Sequence, residues 1–313
     1  MILEDFIIQN KQGLYCAYGD FYLDPKEPAR HAVISHGHGD HAYPGNGDVY
    51  CTATTEKVMR YRYKEEAARS FKVKNYHETF ELNGVQLTFI PAGHILGSAQ
   101  VLMVYQGVRY LYTGDFKLQP DATCEPFEFV LADVLITETT FANPATIHPP
   151  ASDEVRKLND VNANVMIGAY VLGKSQRLIH LISQHCPDRR VLIHYSLLPF
   201  VKLYEQAGVN FGKYELFDKR LLKSANNIAY IVPPMVFNSN IKLVNAVKIF
   251  ATGWKALQSG NAVQLYISDH ADWPEIIETI EKVQPTEIWT THGDGDALQA
   301  HFDGQLRVKI LNP

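Results

Sequence analysis

The sequence predicts an α/β fold, a layered arrangement of short strands and helices interrupted by an inserted α/β unit. Three observations predict it. The first third is a series of short strand-like runs between turns, the pattern breaks at a proline-rich stretch near 144–150 into regular strand–helix alternation, and the last fifty residues return to the manner of the first third.

The runs 14–18, 21–23, 32–35, 49–52, 85–90 and 100–105 are apolar or alternating and too short for helices, so they read as strands. The polar stretch 56–69 has the mixed charge of an exposed helix, and 108–112 and 134–137 resume the strand pattern. At Pro144, His148, Pro149 and Pro150 the pattern breaks. A strand at 165–167, a helix at 174–185, a strand at 191–194 and a helix at 198–207 then alternate. Strands at 247–250 and 263–267, a helix at 274–283 and a strand at 287–291 complete the series. The expected organisation is a discontinuous domain over 1–145 and 264–313 that carries an inserted domain over 146–263. A chain of 313 residues has room for both, since single cores seldom grow beyond about 250 residues.

Apolar residues make up 46% and charged residues 20%, a balance that excludes a disordered chain and a membrane class. The start of the chain lacks a basic segment followed by a long apolar run, which predicts a cytoplasmic protein without a membrane partner. Cys16, Cys51, Cys124 and Cys186 lie far apart, so neither a disulfide framework nor a thiolate zinc site is expected. The net charge of -5 hides a division: 151–260 holds 14 Lys+Arg against 7 Asp+Glu, and the remainder is acidic. Such a split suits a segment that attracts phosphates beside one that carries metal ligands, although a solvated charged face gives the same count.

Only 13 residues are histidine, yet three fall in His36-Gly37-His38-Gly39-Asp40-His41, directly after the apolar run Ala32-Val33-Ile34. A strand that ends in a glycine-containing loop aims several side chains at one point, and imidazoles with a carboxylate suit Zn or a similar cation. The alternative is a surface histidine cluster, which the interleaved Gly and Asp disfavour. Ligands drawn from one loop need others from distant strands. His94 in Gly93-His94, Asp115 in Thr113-Gly114-Asp115 and His292 in Thr291-His292-Gly293 each follow an expected strand.

HGHGDH followed by His94, Asp115 and His292 resembles the metallo-β-lactamase superfamily, over almost the whole chain. The resemblance implies an αββα sandwich with two divalent metal ions, Zn first, with Mn or Fe also accepted. It implies that His36, His38 and His94 hold one ion, that Asp40, His41 and His292 hold the second, and that Asp115 bridges them. Asp24, closing Phe21-Tyr22-Leu23-Asp24, matches the family's acidic residue beneath this loop, where it would orient a ligand imidazole. The plainer reading is a turn aspartate ahead of Pro25.

Glu138 in Thr137-Glu138-Thr139, His270 in Asp269-His270-Ala271 and His292 resemble the extra motifs of the β-CASP nuclease branch. Leu172-Gly173-Lys174-Ser175-Gln176-Arg177 and Thr252-Gly253-Trp254 are similar to two further segments of that branch, and the basic insertion sits where a β-CASP-like domain would. The stretches Gly13-Leu14-Tyr15-Cys16 and Gly19-Asp20-Phe21-Tyr22 are most similar to bacterial DNA ligase-associated exonucleases, which are often described as mRNA 3′-end processing factors. Histidine at position 292 is the choice of RNA-processing members, whereas Artemis-type DNA enzymes carry an apolar residue there, so DNA and RNA both stay open.

The expected activity is a nucleic-acid phosphodiesterase. A DNA exonuclease in repair, with a DNA ligase as partner, comes first, and an RNA 3′-end processing nuclease second. The expected mechanism is two-metal hydroxide attack on phosphorus with His270 as general acid, oriented by Glu138; Asp40 and Asp24 complete the catalytic set. Ser98, Lys174 and Arg177 are the expected substrate contacts, and a mixed basic and aromatic stretch from Lys57 to Lys74 is a further candidate. Gly168 to Ser175 also satisfies the P-loop pattern GxxxxGKS, but its bulky Tyr170-Val171-Leu172 interior is unlike a phosphate cradle. A lactone or thioester hydrolase of the same fold and a metal-stabilised binding scaffold are the competing classes.

Overall fold

A computed structural model describes residues 1–218, 226–239, 245–258 and 263–311. Lys219, Arg220, Lys223 and Lys242, part of the basic count, lie outside the described residues. In chain order, β1 (Ile8–Asn10), β2 (Gly13–Cys16), β3 (Phe21–Leu23), β4 (His31–Val33), β5 (Asn46–Cys51), helix α1 (Ala53–Tyr63) and β6 (Ala68–Val73) come first. β7 (Thr79–Leu82), β8 (Val85–Pro91), β9 (Ala99–Tyr105), β10 (Val108–Tyr112) and β11 (Val134–Glu138) follow. Next are α2 (Ala151–Arg156), β12 (Asn164–Gly168), α3 (Lys174–His185), β13 (Arg190–Ile193), α4 (Leu198–Gln206), β14 (Glu215–Leu216), β15 (Ile228–Val232), α5 (Pro234–Phe237) and β16 (Ala246–Phe250). The chain ends with α6 (Trp273–Val283), β17 (Glu287–Thr291), α7 (Asp296–His301) and β18 (Arg307–Ile310).

Two compact units result: Met1–Leu118 with Cys124–Ile147 and His270–Pro313, and Gln119–Thr123 with His148–Asp269. The second junction therefore falls at 269/270 rather than the expected 263/264. Side-chain bonding explains the shift, because Lys174 Nζ donates to Ile267 O and Arg177 Nη1 to Ser268 O, and both belong to the inserted unit. Gln119 joins that unit by accepting a bond from Arg177. The expected strand at 263–267 is reduced, among the described residues, to a single bridge between Leu265 and Ala251, in which Leu265 O accepts the Thr252 amide at 3.2 Å and Gln258 Nε2 at 2.8 Å.

In the first unit, strict alternation along the strands builds four layers. One sheet runs β1-β2-β3-β4-β5-β6 and the other β18-β17-β11-β10-β9-β8-β7. Val33, Tyr110, Tyr112, Val134, Ile136 and Trp289 share the core between the sheets. Their chain neighbours point the other way: Ala32 and Ile34 pack with Met59 of α1, and Leu111, Leu135 and Ile288 pack with Ile276 and Ile280 of α6 and Leu298 of α7. The result is the αββα sandwich expected.

The helix expected over 56–69 starts earlier and stops earlier. Thr52 Oγ1 accepts the Thr55 amide at 3.3 Å as an N-cap, Lys64 turns to φ 52°, and Ala68–Val73 joins the sheet as β6. The inserted unit holds a parallel sheet, β14-β13-β15-β12-β16, whose β12 and β15 are buried along their whole length. Among the described residues no helix is long and apolar enough to cross a membrane.

Candidate metal centre

β8, β10, β11 and β17 run the same way through the second sheet, so their C-terminal ends share one edge, and the loop after β4 of the first sheet delivers its histidines to the same place. The close approach depends on Gly114, whose φ is 56°: a Cβ there would lie 2.8 Å from Ser35 Cβ. Thr113-Gly114-Asp115 can therefore turn directly against the loop that holds His36.

His36, His38, His94 and Asp115 form one group of converging donor atoms, Asp24, His36 and His41 a second, and Asp115, Glu138 and His270 a third. His38 Nδ1 lies 3.1 Å from His36 Nε2 and 3.0 Å from His94 Nε2, and Asp115 Oδ2 is 3.5 Å from the first and 3.7 Å from the second of those Nε2 atoms. Donors on a Zn tetrahedron with bonds of about 2.0–2.1 Å are separated by roughly 3.3 Å, and these four separations are close to that edge length. The residues fit the metal that the sequence implies.

Protonation agrees. Burial lowers His36 and His94 well below the usual imidazole value, with neighbouring imidazoles adding to the effect against Asp115, so both keep lone pairs for a cation. Burial opposes ionisation of Asp115, but His41 and His270 outweigh it and hold the carboxyl well below its ordinary range. His41 is also buried, yet the Asp115 and Asp24 carboxylates raise it well above the ordinary value. His292 is lowered by burial, with its ring stacked on His41 at 4.9 Å between centroids.

Tautomers follow from hydrogen bonds beneath the ligands. Ser35 Oγ donates its one proton to Asp24 Oδ2 at 2.5 Å, so His36 Nδ1, 3.0 Å away, donates to Ser35 and leaves Nε2 for the metal. His41 Nδ1 donates to Asp24 Oδ2 at 2.8 Å, which turns its Nε2 toward Asp115 Oδ2 at 3.3 Å. On the other side, His270 Nδ1 donates to Glu138 Oε2 at 2.9 Å. Glu138 is buried and fixed further by the Phe116 amide at 2.8 Å and the Thr140 hydroxyl at 2.6 Å, while His270 stays partly open to solvent.

Asp40 is exposed in the turn of the histidine loop, and neither it nor His292, whose ring lies against His41, joins any of the three groups. The expected substrate contacts receive other work. Ser98 is buried, and its Oγ accepts the amides of His94 and Ile95 at 3.1 and 3.2 Å, which shapes the ligand loop. Lys174 and Arg177 are buried in the inserted unit, on Ile267 O, Ser268 O, Gln119 and the Asp269 carboxylate, and so offer no exposed cation to a phosphate. The P-loop pattern likewise forms no anion cradle, since Gln176 Oε1 accepts the Gly173 amide and Tyr170 O accepts the Ser175 amide. In the basic stretch of the first unit, Arg60 pairs with Glu56, Arg69 with Asp48 and Lys74 with Glu78, while Arg62 donates to Gly37 O at 2.8 Å.

The sequence reading misses Lys117. It is buried two residues beyond Asp115, and its Nζ donates to Gly93 O at 2.6 Å and His94 O at 2.5 Å. A lysine set between Phe116 and Leu118, two positions past the candidate ligand Asp115, was the available signal.

An αββα sandwich that gathers three imidazoles and a carboxylate at its strand ends defines a metallo-hydrolase fold. Residues 21–170 match the beta-lactamase superfamily domain, and residues 262–303 match the Zn-dependent metallo-hydrolase RNA specificity domain. The chain belongs to the metallo-β-lactamase β-CASP nuclease family, a family of hydrolases. It is 32% identical, over 91% of its length, to a probable DNA ligase of Opitutus terrae, of which it spans 29%. It is 28% identical to an RNase J-like protein of Methanocaldococcus jannaschii, covering 84% of this chain and 81% of that one. A solved structure from Enterococcus faecalis V583, of a protein of unknown function, shares the fold at a TM-score of 0.59 and 15% identity, covering 90% of this chain and 79% of the other.

Proposed function

We propose that the chain is a metal-dependent phosphodiesterase that shortens DNA from an end during repair, in the cytoplasm and beside a DNA ligase. One observation carries the hydrolytic reading: the His270–Glu138 pair, 2.9 Å long, stands in contact range of Asp115 and so of the histidine group. His36, His38 and His94 would hold one Zn, Asp40, His41 and His292 a second, with Asp115 common to both and Mn or Fe as substitutes. When bound, the ions supply water ionised near neutrality and offset charge on the phosphoryl oxygens. Asp24 keeps His41 aimed at that centre. His270, with Nδ1 committed to Glu138, presents Nε2 to hand a proton to the leaving oxygen.

The likeness to a probable DNA ligase over 91% of the chain supports DNA as the polymer and a ligase as the partner. RNA is the second reading, favoured by the RNA specificity match over 262–303, which contains His270 and His292. Incubating the purified protein with end-labelled single-stranded DNA and RNA, under Zn and Mn, separates them. A ladder shortened from one end of DNA supports the first reading and cleavage of RNA alone the second. Hydrolysis of lactones or thioesters with both polymers intact overturns the phosphodiesterase assignment.

A further inference from the structure

The inserted unit carries a feature that the hydrolytic site does not use. In its parallel sheet, Gly168 of β12 pairs with both Val232 of β15 and Phe250 of β16, and Ile193 of β13 pairs with Ile231, so four adjacent strands end level. Just beyond those ends, in the sheet order β13-β15-β12-β16, come Tyr195, Met235, Tyr170 and Trp254, which are 74%, 88%, 55% and 48% exposed. Each strand thus contributes one large exposed side chain to a single edge. With strands about 4.8 Å apart, the row spans roughly 14 Å.

Scattered exposed apolar residues need no explanation, but one such residue after each of four adjacent strands, all at one edge, does. The C-terminal edge of a parallel sheet is where α/β units take their ligands. The row has three aromatic rings and a polarisable thioether, and the segment that carries it is basic in sequence, with 14 Lys+Arg against 7 Asp+Glu over 151–260. Of those cations, Lys174 and Arg177 are spent on Asp269, and Lys219, Arg220, Lys223 and Lys242 lie outside the described residues. Flat rings on a cationic unit match a polyanion that also presents flat faces. A duplex hides its base faces within its own stack, whereas a single strand exposes them.

We propose that Tyr195, Met235, Tyr170 and Trp254 form a base-stacking platform for single-stranded nucleic acid, which makes an unpaired strand the form of substrate that the protein holds. This rests on the nucleic-acid reading above. The loop after β12 then contributes the Tyr170 ring to the ligand, in place of the phosphate cradle suggested by its GxxxxGKS pattern.

The test compares the parent holoenzyme with the triple variant Tyr170→Ala, Tyr195→Ala, Trp254→Ala. Affinities for phosphorothioate-linked oligothymidylate, oligouridylate and an abasic oligomer are measured by anisotropy, and hydrolysis of bis(p-nitrophenyl) phosphate is followed in parallel. Each ring stacked on a base is worth about tenfold in affinity. The triple variant is therefore expected to bind the base-bearing oligomers at least a hundredfold more weakly, with abasic affinity and small-ester hydrolysis unchanged. A second variant, Tyr170→Phe, Tyr195→Phe, Trp254→Phe, keeps the rings and is expected to keep the affinity. Equal binding by the parent and the triple variant, an equal loss on the abasic oligomer, or self-association lost in the triple variant without a change in oligomer affinity overturns the platform. Failure of the parent to cleave any ester or polymer, with ring-dependent binding intact, overturns the nuclease reading and leaves the platform standing.

Discussion

Asp24 Oδ2 accepts His41 Nδ1 at 2.8 Å and is a point where the two sheets of the sandwich are joined under the candidate metal centre. Asp24 follows β3 of one sheet, and the Tyr112 hydroxyl at the end of β10 of the other donates to the same oxygen at 3.0 Å. The Ser35 amide adds a bond at 2.7 Å to the other oxygen. Asp24→Asn keeps the shape but turns an acceptor into a donor, and loss of an orienting carboxylate typically lowers metal affinity about 10–100-fold. Competition against a zinc chelator reads the effect; an unchanged affinity removes the orienting role. Asp24→Ala also orphans buried donors and is expected to lower unfolding free energy by about 1–3 kcal/mol.

His270 and Asp115 are neighbours, with 3.8 Å between Nδ1 and Oδ2, yet they separate in the assay. His270→Ala is expected to keep its zinc and to lose about 10²–10⁴ in turnover on a nucleic acid, the usual size of a general-acid contribution. Glu138→Gln should follow it, because the amide no longer favours the imidazolium. Asp115→Ala is expected to lose metal and turnover together. Zinc content by elemental analysis beside an exonuclease assay gives both numbers, and parental turnover in His270→Ala overturns the proton-donor role.

Much of the fold and the centre was legible in the sequence, for definable reasons. Strands alternate with period two, so Val33, Leu111 and Trp289 announce which core they enter, and glycines among histidines mark a loop that brings ligands together. Helix 174–185 matched to the residue because Gly173 and its capping Gln176 are both local signals. Long-range partners were not legible. Nothing local in Lys174 or Arg177 tells that Asp269, more than ninety residues on, will neutralise them, and nothing in Ser98 tells that its hydroxyl will be spent on its own loop. β15 was passed over although Ile228–Val232 is wholly apolar, because a buried parallel strand has no alternation to find.

Arg177 gives the sharpest test of that correction. Its Nη1 lies 3.3 Å from Asp269 Oδ1 and 2.7 Å from Ser268 O, with both charged side chains nearly out of solvent. Arg177→Met leaves the buried Asp269 carboxylate with Lys174 as its remaining cation, and removing one partner from a buried ion pair commonly costs about 3–5 kcal/mol, an upper figure here. The expected outcome is a lower urea midpoint with no change in how affinity for an oligonucleotide depends on salt. A phosphate contact would do the reverse, keeping the midpoint and shrinking the salt slope by about one.

Lys117 clamps the His94 loop from two directions. Its ammonium donates to the carbonyls of Gly93 and His94, and its own carbonyl lies 2.4 Å from where a Cβ on Gly93 would stand, at a φ of 72° that already favours glycine. Lys117→Met fills similar volume without donors and takes the ammonium from two carbonyls, which is expected to cost about 1–3 kcal/mol of stability. Released from its clamp, His94 Nε2 no longer holds its 3.0 Å spacing from His38, so zinc affinity should fall as well. Gly93→Ala attacks the same loop by collision and is expected to act in the same direction. Urea unfolding with zinc present and absent distinguishes the two contributions: a deficit seen only with zinc means that the lysine serves the ligand, and an equal deficit in both means that it serves the loop alone. A parental midpoint under both conditions means that the buried ammonium does neither.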